Sequence, residues 1–563
     1  LIISAGVLLL LFGAGAALGF TEHGYFGIYT IEQYLPAAGK PAEARRVIQQ
    51  AEELVANDTF ADRTEALRVL AGGRKKMGLN RALLSRSLVH EALYQLRFAG
   101  TEGSTSHLSM ISSRLEDREW NVPGKDLALA AKEAAAGGYD KAETYLHQAR
   151  AQSAQDFVAA LLGAELALKK DKLKDAERDF QTALRLGARA AAQWGLVRVY
   201  AQSNQPAKAQ TAIQALLKLS PQHSGARLMH AQLLWKEGSQ EALKEGLVFA
   251  SQVAGATPVN GKALLAPKQE RATAFSLIGL IYEQEGRLKE ANQAYADALK
   301  IDAIRAEALL GAGRMLLRDK RPADALARFE SVINGSANAP APAAVSLIAA
   351  EDRPVLVQAK LGAAKALLDM GRVQMARDML QPLIKEYPKD AEIKLWLGKC
   401  EQELGNFDVA EKHLQEAIEL APKNFAGYIM LSQLYVATAR PSEAAQVLRK
   451  AEGYVPDNAE RRRMMGQSEL ARGNTDAALQ YFHCALELEP NNLDIQFDLG
   501  VGLRHAGKLD EAKAQFDEVE KRDPTYPELA LERGRIFEAR GEWEVAVRNY
   551  RMALEKAPQD SGL

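Results

Sequence analysis

Six prolines stand at regular intervals of 34 residues in the C-terminal part of this chain. They are Pro388, Pro422, Pro456, Pro490, Pro524 and Pro558. Twelve residues before each proline is an alanine, and eight residues before each is a leucine or an aromatic residue. A fixed period of this length indicates small units that cannot bury their own apolar faces and therefore stack on their neighbours. The 563 residues are thus expected to form a repeat array, not one globular core.

Within each unit the pattern predicts two helices joined by a tight turn. Glycine occupies the turn in five of the six units, and the exception is Ala439. A second small residue recurs in the first helix, as Ala364, Gly398, Ser432, Gly466, Gly500 and Gly534. We expect these small residues where helices approach closely, and the large residue between neighbouring hairpins. Proline ends the second helix because it cannot donate the next backbone hydrogen bond.

The best-formed unit, Ala459–Asn492, reads AERRRMMGQSELARGNTDAALQYFHCALELEPNN and resembles the tetratricopeptide repeat. Less regular copies precede it, giving about a dozen units over most of residues 123–563. The resemblance implies an all-α, right-handed superhelical solenoid whose first helices line a concave groove. It also implies that this groove binds extended peptides or helices of partner proteins.

The breaks in the pattern predict seven segments. These are a transmembrane helix at 1–21, a membrane-proximal helical or degenerate repeat region at 22–122, an N-terminal array at 123–250, an insert loop at 251–271, a repeat pair at 272–334, a second insert at 335–356, and six regular repeats at 357–563. The inserts are interpreted as flexible connectors or as partner contacts on one face of the array.

The stretch Leu1–Phe20 contains no charged residue. Twenty helical residues span about 30 Å, the thickness of the hydrocarbon layer of a bilayer. The first basic residue after it is Lys40, and such a flank is typical of the non-cytoplasmic side. We therefore predict a single-pass protein of the bacterial inner membrane with its repeats in the periplasm. A cleaved signal peptide is the alternative.

The resemblance places a row of cationic and amide side chains on the groove. The candidates for protein binding are Arg314, Lys365, Lys399, Gln433, Arg463, Gln467 and Arg535. Guanidinium and ammonium groups form charge-assisted hydrogen bonds with carboxylates, so the row suits an extended protein segment. A solvated helix face is the alternative interpretation. Repeats that bind chaperone C-termini carry a Lys/Asn clamp here, but Leu361, Leu395 and Ile429 fill its second slot, so a chaperone tail is not an expected ligand.

Nothing in the sequence predicts catalysis. No phosphate-binding loop, dinucleotide fingerprint, serine nucleophile motif or H-E-x-x-H occurs, and the nine histidines are scattered. Cys400 and Cys484 are isolated, so we expect no metal and no cofactor. The 71 basic and 72 acidic residues balance, which gives no support for nucleic-acid binding. Acidic residues recur at the second position of several units, where they complement the helix dipole: Glu392, Glu460, Asp494 and Glu528.

Two functions of different kinds remain open on this basis. The first is a non-catalytic, membrane-anchored scaffold that helps to assemble an envelope or membrane complex of the secretion, pilus, motility or export type. The second is a structural subunit integrated permanently into one complex through its convex faces and inserts. An accessory module of an enzyme domain upstream of Leu1 is a further alternative.

Overall fold

The computed structural model describes residues 41–77, 80–98, 124–336, 355–526 and 528–556. Within these ranges the regular elements are 27 α-helices, and the remaining backbone pairing is one isolated bridge between Val259 and Lys262. The prediction of an all-α solenoid is thereby confirmed for the part of the chain that is described.

The helices are numbered in chain order. The first fifteen are α1 Pro41–Asn57, α2 Phe60–Met77, α3 Arg81–Arg97, α4 Lys125–Ala135, α5 Tyr139–Gln152, α6 Phe157–Lys169, α7 Leu173–Arg185, α8 Arg189–Gln202, α9 Pro206–Leu219, α10 Ser224–Glu237, α11 Gln240–Ala254, α12 Lys268–Gln284, α13 Leu288–Ile301, α14 Ala306–Arg318 and α15 Pro322–Ser336. The others are α16 Val355–Asp369, α17 Val373–Glu386, α18 Ala391–Glu403, α19 Phe407–Leu420, α20 Phe425–Ala437, α21 Pro441–Ala451, α22 Ala459–Ala471, α23 Thr475–Leu488, α24 Leu493–His505, α25 Leu509–Arg522, α26 Leu529–Ala539 and α27 Trp543–Lys556.

The chain divides into two compact units, residues 1–359 and 360–563. In the first unit the hairpin α1–α2 and the single helix α3 precede six hairpins, α4–α5 to α14–α15. The second unit contains six hairpins, from α16–α17 to α26–α27. In most of each stack the first helices of neighbouring hairpins contact one another as well as their own second helices. We call the side formed by these first helices the inner face of that unit.

The turn inside each hairpin requires a left-handed residue. Gly405 and Gly473 adopt φ of 78° and 81°, a conformation that glycine reaches without a steric penalty. Ala439, which the repeat pattern singled out as the exception, adopts φ of 59° at the same position. The turn geometry therefore persists although its side chain is unfavourable there.

Large side chains of the second helices pack directly on glycines of the first helices. Phe482 is fully buried, and a Cβ atom built on Gly466 would lie 2.5 Å from its ring. The same ring lies against Gly502 of the next hairpin, where a built Cβ atom would lie 3.3 Å away. The large residue thus fills the space between hairpins only because glycine leaves room for it.

Two boundaries differ from those read from the pattern. Helix α11 continues to Ala254, where Gly255 ends it with φ of 88°, and α12 begins after Pro267. The irregular backbone in the insert predicted at 251–271 is therefore confined to 255–267. Most of the insert predicted at 335–356 lies outside the described residues.

The structure contradicts the prediction of a single-pass membrane protein. Among the described helices none is long and apolar enough to cross a bilayer. The longest, α2 with 18 residues, carries seven charged side chains, and such a segment is costly to bury in hydrocarbon. The stretch 1–21, on which the prediction rested, lies outside the described residues. Membrane anchoring, the periplasmic location and the envelope-complex role receive no support.

Candidate functional site

The candidate binding residues all lie on first helices. Arg314 is on α14 of the first unit, and the others are distributed over α16, α18, α20, α22 and α26 of the second unit. Their side chains are mostly engaged with acidic residues of the same or the next hairpin. The inner face is therefore a mosaic of both charges, not a cationic row.

In the first unit, the Arg314 guanidinium donates two hydrogen bonds to Glu283 on α12, at 3.0 and 2.9 Å. The hydroxyl of buried Tyr295 donates to the same carboxylate at 2.9 Å. Burial raises the pKa of Glu283, but Arg314 and Tyr295 outweigh it and hold that pKa below its usual value. The ion pair joins the first helices of consecutive hairpins.

Lys365 on α16 makes the corresponding contact in the second unit. Its ammonium nitrogen lies 2.6 Å from the carboxylate of Glu392 on α18. It also lies 4.9 Å from the centre of the Trp396 ring, within the range of a cation–π contact. Both charged side chains are about one-quarter exposed, so the pair remains accessible to a partner.

Helices α22 and α24 carry the most connected group. Arg463 donates from Nε and Nη2 to Glu460 on its own helix, both at 3.0 Å, and from Nη1 to Asp498 on α24 at 3.1 Å. Gln467 donates to the same Asp498 oxygen at 2.7 Å. Burial raises the pKa of Asp498 to about 6 because the loss of solvent outweighs the attraction of Arg463.

The remaining candidates are less connected between hairpins. Lys399 pairs with Glu403 on its own helix at 2.6 Å. Arg535 contacts Glu532, whose other oxygen accepts a bond of 2.7 Å from Arg504 on α24. Gln433 on α20 is exposed. The accessible part of the inner face thus offers amide, cationic and anionic groups side by side.

The acidic partners of this row were not predicted from the sequence. Glu392 and Glu460 were expected only to complement helix dipoles, and Glu283, Asp498 and Glu532 were not among the candidate residues. The available signal was spacing, because Lys365 and Glu392 are 27 residues apart and Arg463 and Asp498 are 35 apart. Opposite charges separated by about one repeat lie on adjacent first helices.

The inner face of the first unit is partly covered by the hairpin α1–α2. Helix α1 contacts α8, and the turn after α1 places Asp58 beside His223 at the start of α10. Asp58 is completely buried and binds the guanidinium groups of Arg63 and Arg97. Burial alone would raise the pKa of Asp58, but the two arginines and His223 outweigh it and hold that pKa far below its usual value.

The described residues contain no group of three or more His, Cys, Asp or Glu side chains placed to hold a metal ion. Burial raises the pKa of the Cys400 thiol to about 12, so this sulfur is a packing group at neutral pH. The groups that face solvent on the inner faces are suited to hydrogen bonding and ion pairing.

Solved structures show weak similarity to this chain. A tetratricopeptide repeat protein from Parabacteroides merdae is 15% identical over 49% of this chain and 99% of its own, with a TM-score of 0.37. A chain of the APC/C hetero-tetramer Cut9-Hcn1 is 14% identical over 86% of this chain and 89% of its own, with a TM-score of 0.42. YrrB, a TPR protein with an unusual peptide-binding site, is 24% identical over 32% of this chain and 93% of its own, with a TM-score of 0.24.

No curated protein matches the chain at a significant level. Two sequence profiles, both described as tetratricopeptide repeat, match it. The first covers residues 195–242, 276–341 and 361–425, and the second covers 402–467 and 469–530. Together these ranges span half of the chain, and they include Arg314, Lys365, Lys399, Gln433, Arg463 and Gln467. The chain therefore belongs to the tetratricopeptide repeat family.

Proposed function

We propose that this protein is an interaction scaffold that binds an extended or helical segment of a partner protein on the inner face of its second unit. The observation that carries the proposal is the mosaic of paired charges on that face. Lys365, Lys399, Arg463 and Arg535 remain partly exposed while each is held in place by an acidic neighbour. Side chains fixed in this way lose little conformational entropy when a partner binds.

The mosaic favours a protein segment over a polyanion. Each cation already lies beside a carboxylate, so its attraction for a row of phosphates is largely cancelled. A polypeptide presents both charges together with backbone donors and acceptors, and it pairs with such a surface without leaving uncompensated charge. The exposed amide of Gln433, in the middle of the stack, is suited to the backbone of such a segment.

The test begins with peptides selected from a random display library on the purified chain. Binding of the selected peptides is then measured by calorimetry with the Lys365→Glu, Arg535→Glu double variant. The matched control reverses two exposed lysines on second helices, Lys385→Glu and Lys450→Glu. We expect the inner-face variant to lose at least tenfold in affinity and the control to bind as the parent chain does.

A photo-crosslinking residue placed at Gln433 gives an independent readout that does not alter an ion pair. It should crosslink to the selected peptides, whereas the same residue at Lys385 should not. Circular dichroism of each variant shows whether the helices are intact. Equal affinity of both double variants, with crosslinking from Lys385 only, would remove the inner face from this proposal.

A second candidate is a structural subunit that makes permanent contacts through its second helices. It is favoured by large apolar side chains that are exposed on those helices, since such groups are usually covered in an assembly. Trp543 is 64% exposed, Met375 55% and Phe407 44%. Under this alternative, Phe407→Ser with Trp543→Ser abolishes peptide or partner binding while the inner-face reversals leave it unchanged.

A further inference from the structure

The hairpin α1–α2 has an apolar core of its own. Its buried residues come from both helices, and α3 adds one leucine: Ala44, Ala51, Val55, Ala66, Leu70, Met77 and Leu83. The cores of the other hairpins form separate clusters. An element with its own core does not depend on the stack for most of its burial, so other contacts must hold it against the stack.

Those contacts are largely ionic. Glu52 on α1 accepts a bond of 2.5 Å from Arg86 on α3, and Arg86 also binds Asp156 at the start of α6 at 2.6 Å. In the turn that follows α1, Asp58 binds Arg97 and lies 3.3 Å from His223. A third pair joins Arg74 of α2 to Glu91 of α3 at 3.1 Å.

Two aromatic contacts of Phe60, with Tyr94 and Phe98, accompany them. The ring of Phe60, at the start of α2, meets that of Phe98 edge to face with centroids 5.2 Å apart. On the stack side, the Arg97 guanidinium also lies over Trp194 of α8, 5.5 Å from the ring centre. The Arg97 guanidinium thus lies between the ring of Trp194 and the carboxylate of Asp58, which belongs to the hairpin.

The stack therefore presents two arginines to the carboxylates of the hairpin, and Arg86 also keeps a carboxylate of the stack, Asp156, as a partner. Arg86 and Arg97 lie three turns apart on one helix, and their side chains are only 18% and 9% exposed. A segment that covers Arg97 in place of the hairpin but lacks a carboxylate would bury an uncompensated charge, which is strongly unfavourable. Any segment that replaces the hairpin must supply carboxylates in the same positions.

We propose that the surface formed by Arg86, Arg97, Trp194 and His223 is a binding site for an acidic helix-and-turn segment of a partner protein. The hairpin α1–α2 is its resident occupant, and a partner competes by presenting one carboxylate on a helix and a second one in the left-handed turn that follows it, as Glu52 and Asp58 do. The site lies on the first unit, so its test is independent of the test proposed above for the inner face of the second unit.

The test uses the full chain with Glu52→Gln and Asp58→Asn. The control, Glu53→Gln with Glu65→Gln, removes the same charge from more exposed positions of the same hairpin. Hydrogen–deuterium exchange with mass spectrometry reports on each helix. We expect amides of α1 and α2 to exchange at least tenfold faster in the first variant, with α4–α11 still protected and the control unchanged.

The full chain with Glu52→Gln and Asp58→Asn is then titrated with a fluorescent synthetic peptide of residues 41–77. The peptide with its native sequence should bind saturably, and the same peptide with Glu52→Gln and Asp58→Asn should bind at least tenfold more weakly. Should the double variant aggregate, Glu52→Gln and its control Glu53→Gln are compared in the same two measurements.

Three results would overturn the proposal. Loss of protection in α4–α11 together with α1 and α2 would show that the hairpin is part of one cooperative core. Unchanged exchange in α1 and α2 would show that the carboxylates do not hold it. Equal binding of the two peptides, or binding of neither, would show that the surface does not select carboxylates.

Discussion

A methyl group added at Gly500 tests whether close packing between the two helices of a hairpin limits the stability of the second unit. A Cβ atom at this position of α24 would lie 2.6 Å from Cε1 and 2.9 Å from Cδ1 of Phe516 on α25. Ordinary contacts begin near 3.4 Å, so the ring must move by about 0.8 Å. Phe516 is fully buried, and its ring centre lies 5.4 Å from that of Phe497, which restricts the movement.

Two opposing effects set the magnitude for Gly500→Ala. Alanine stabilises a helix interior by up to about 1 kcal/mol relative to glycine. Overpacking of a well-filled core costs about 1–3 kcal/mol. We therefore expect a net loss of about 1–2 kcal/mol in the free energy of opening of α24 and α25, which makes opening about 5–30 times more frequent.

Hydrogen–deuterium exchange of the full chain measures this opening directly, since amides of α24 and α25 should exchange faster by the same factor. The control is Gly453→Ala, where a built Cβ atom meets only a carbonyl oxygen at 3.9 Å. The rescue is Gly500→Ala with Phe516→Leu, which reproduces the pair Ala364 and Leu380 found in the first hairpin of this unit.

In the Phe516→Leu background the added methyl group should be neutral or stabilising by up to about 1 kcal/mol. The coupling energy between the two positions is then about 1–3 kcal/mol. If Gly500→Ala exchanges as the parent chain does, the ring has room that the structure does not show. If the methyl group is equally harmful in the Phe516→Leu background, its cost arises in the helix backbone and not in the contact with the ring.

Three further predictions concern other parts of the chain. Ala439→Gly should stabilise the hairpin α20–α21 by about 1 kcal/mol in urea denaturation, because only glycine adopts φ near 59° without strain; an unchanged or lower midpoint would contradict this. Burial lowers the pKa of both His90 and His223, whose charged and titratable neighbours are Glu52, Asp58, Arg63, Arg86 and Arg97. The histidines' contribution to the stability of the docked hairpin α1–α2 should be complete above about pH 6.5 and should be lost as the pH falls below that value, because the histidines bind protons more readily when the hairpin is released. Equal hydrogen exchange of α1 and α2 at pH 7.5 and 5.5, after correction for intrinsic rates, would contradict this. Iodoacetamide at pH 8 should alkylate Cys484 before Cys400, whose pKa is raised to about 12 by burial; peptide mass spectrometry decides the order.

The repeat could be read from the sequence without any structure. The 34-residue interval, the turn residues and the alternation of small and large side chains are local features, since each hairpin contains nearly all of the residues that define it. The close approach of helices at Gly466 and the exceptional turn at Ala439 were both predicted from position alone, whereas the packing of the Phe482 ring on Gly466 was not. Stacking follows because each hairpin leaves apolar surface that only a neighbour can cover.

The electrostatics of both units became visible only in three dimensions. Lys365 and Arg463 were identified from the sequence without their acidic partners. These partners, Glu392 and Asp498, lie on the next first helix, and they come into contact only when neighbouring hairpins stack. Asp58 and His223 are 165 residues apart, and no periodicity connects them. Local patterns specify which helices form and which faces they bury, whereas the burial of a charge depends on how distant segments meet.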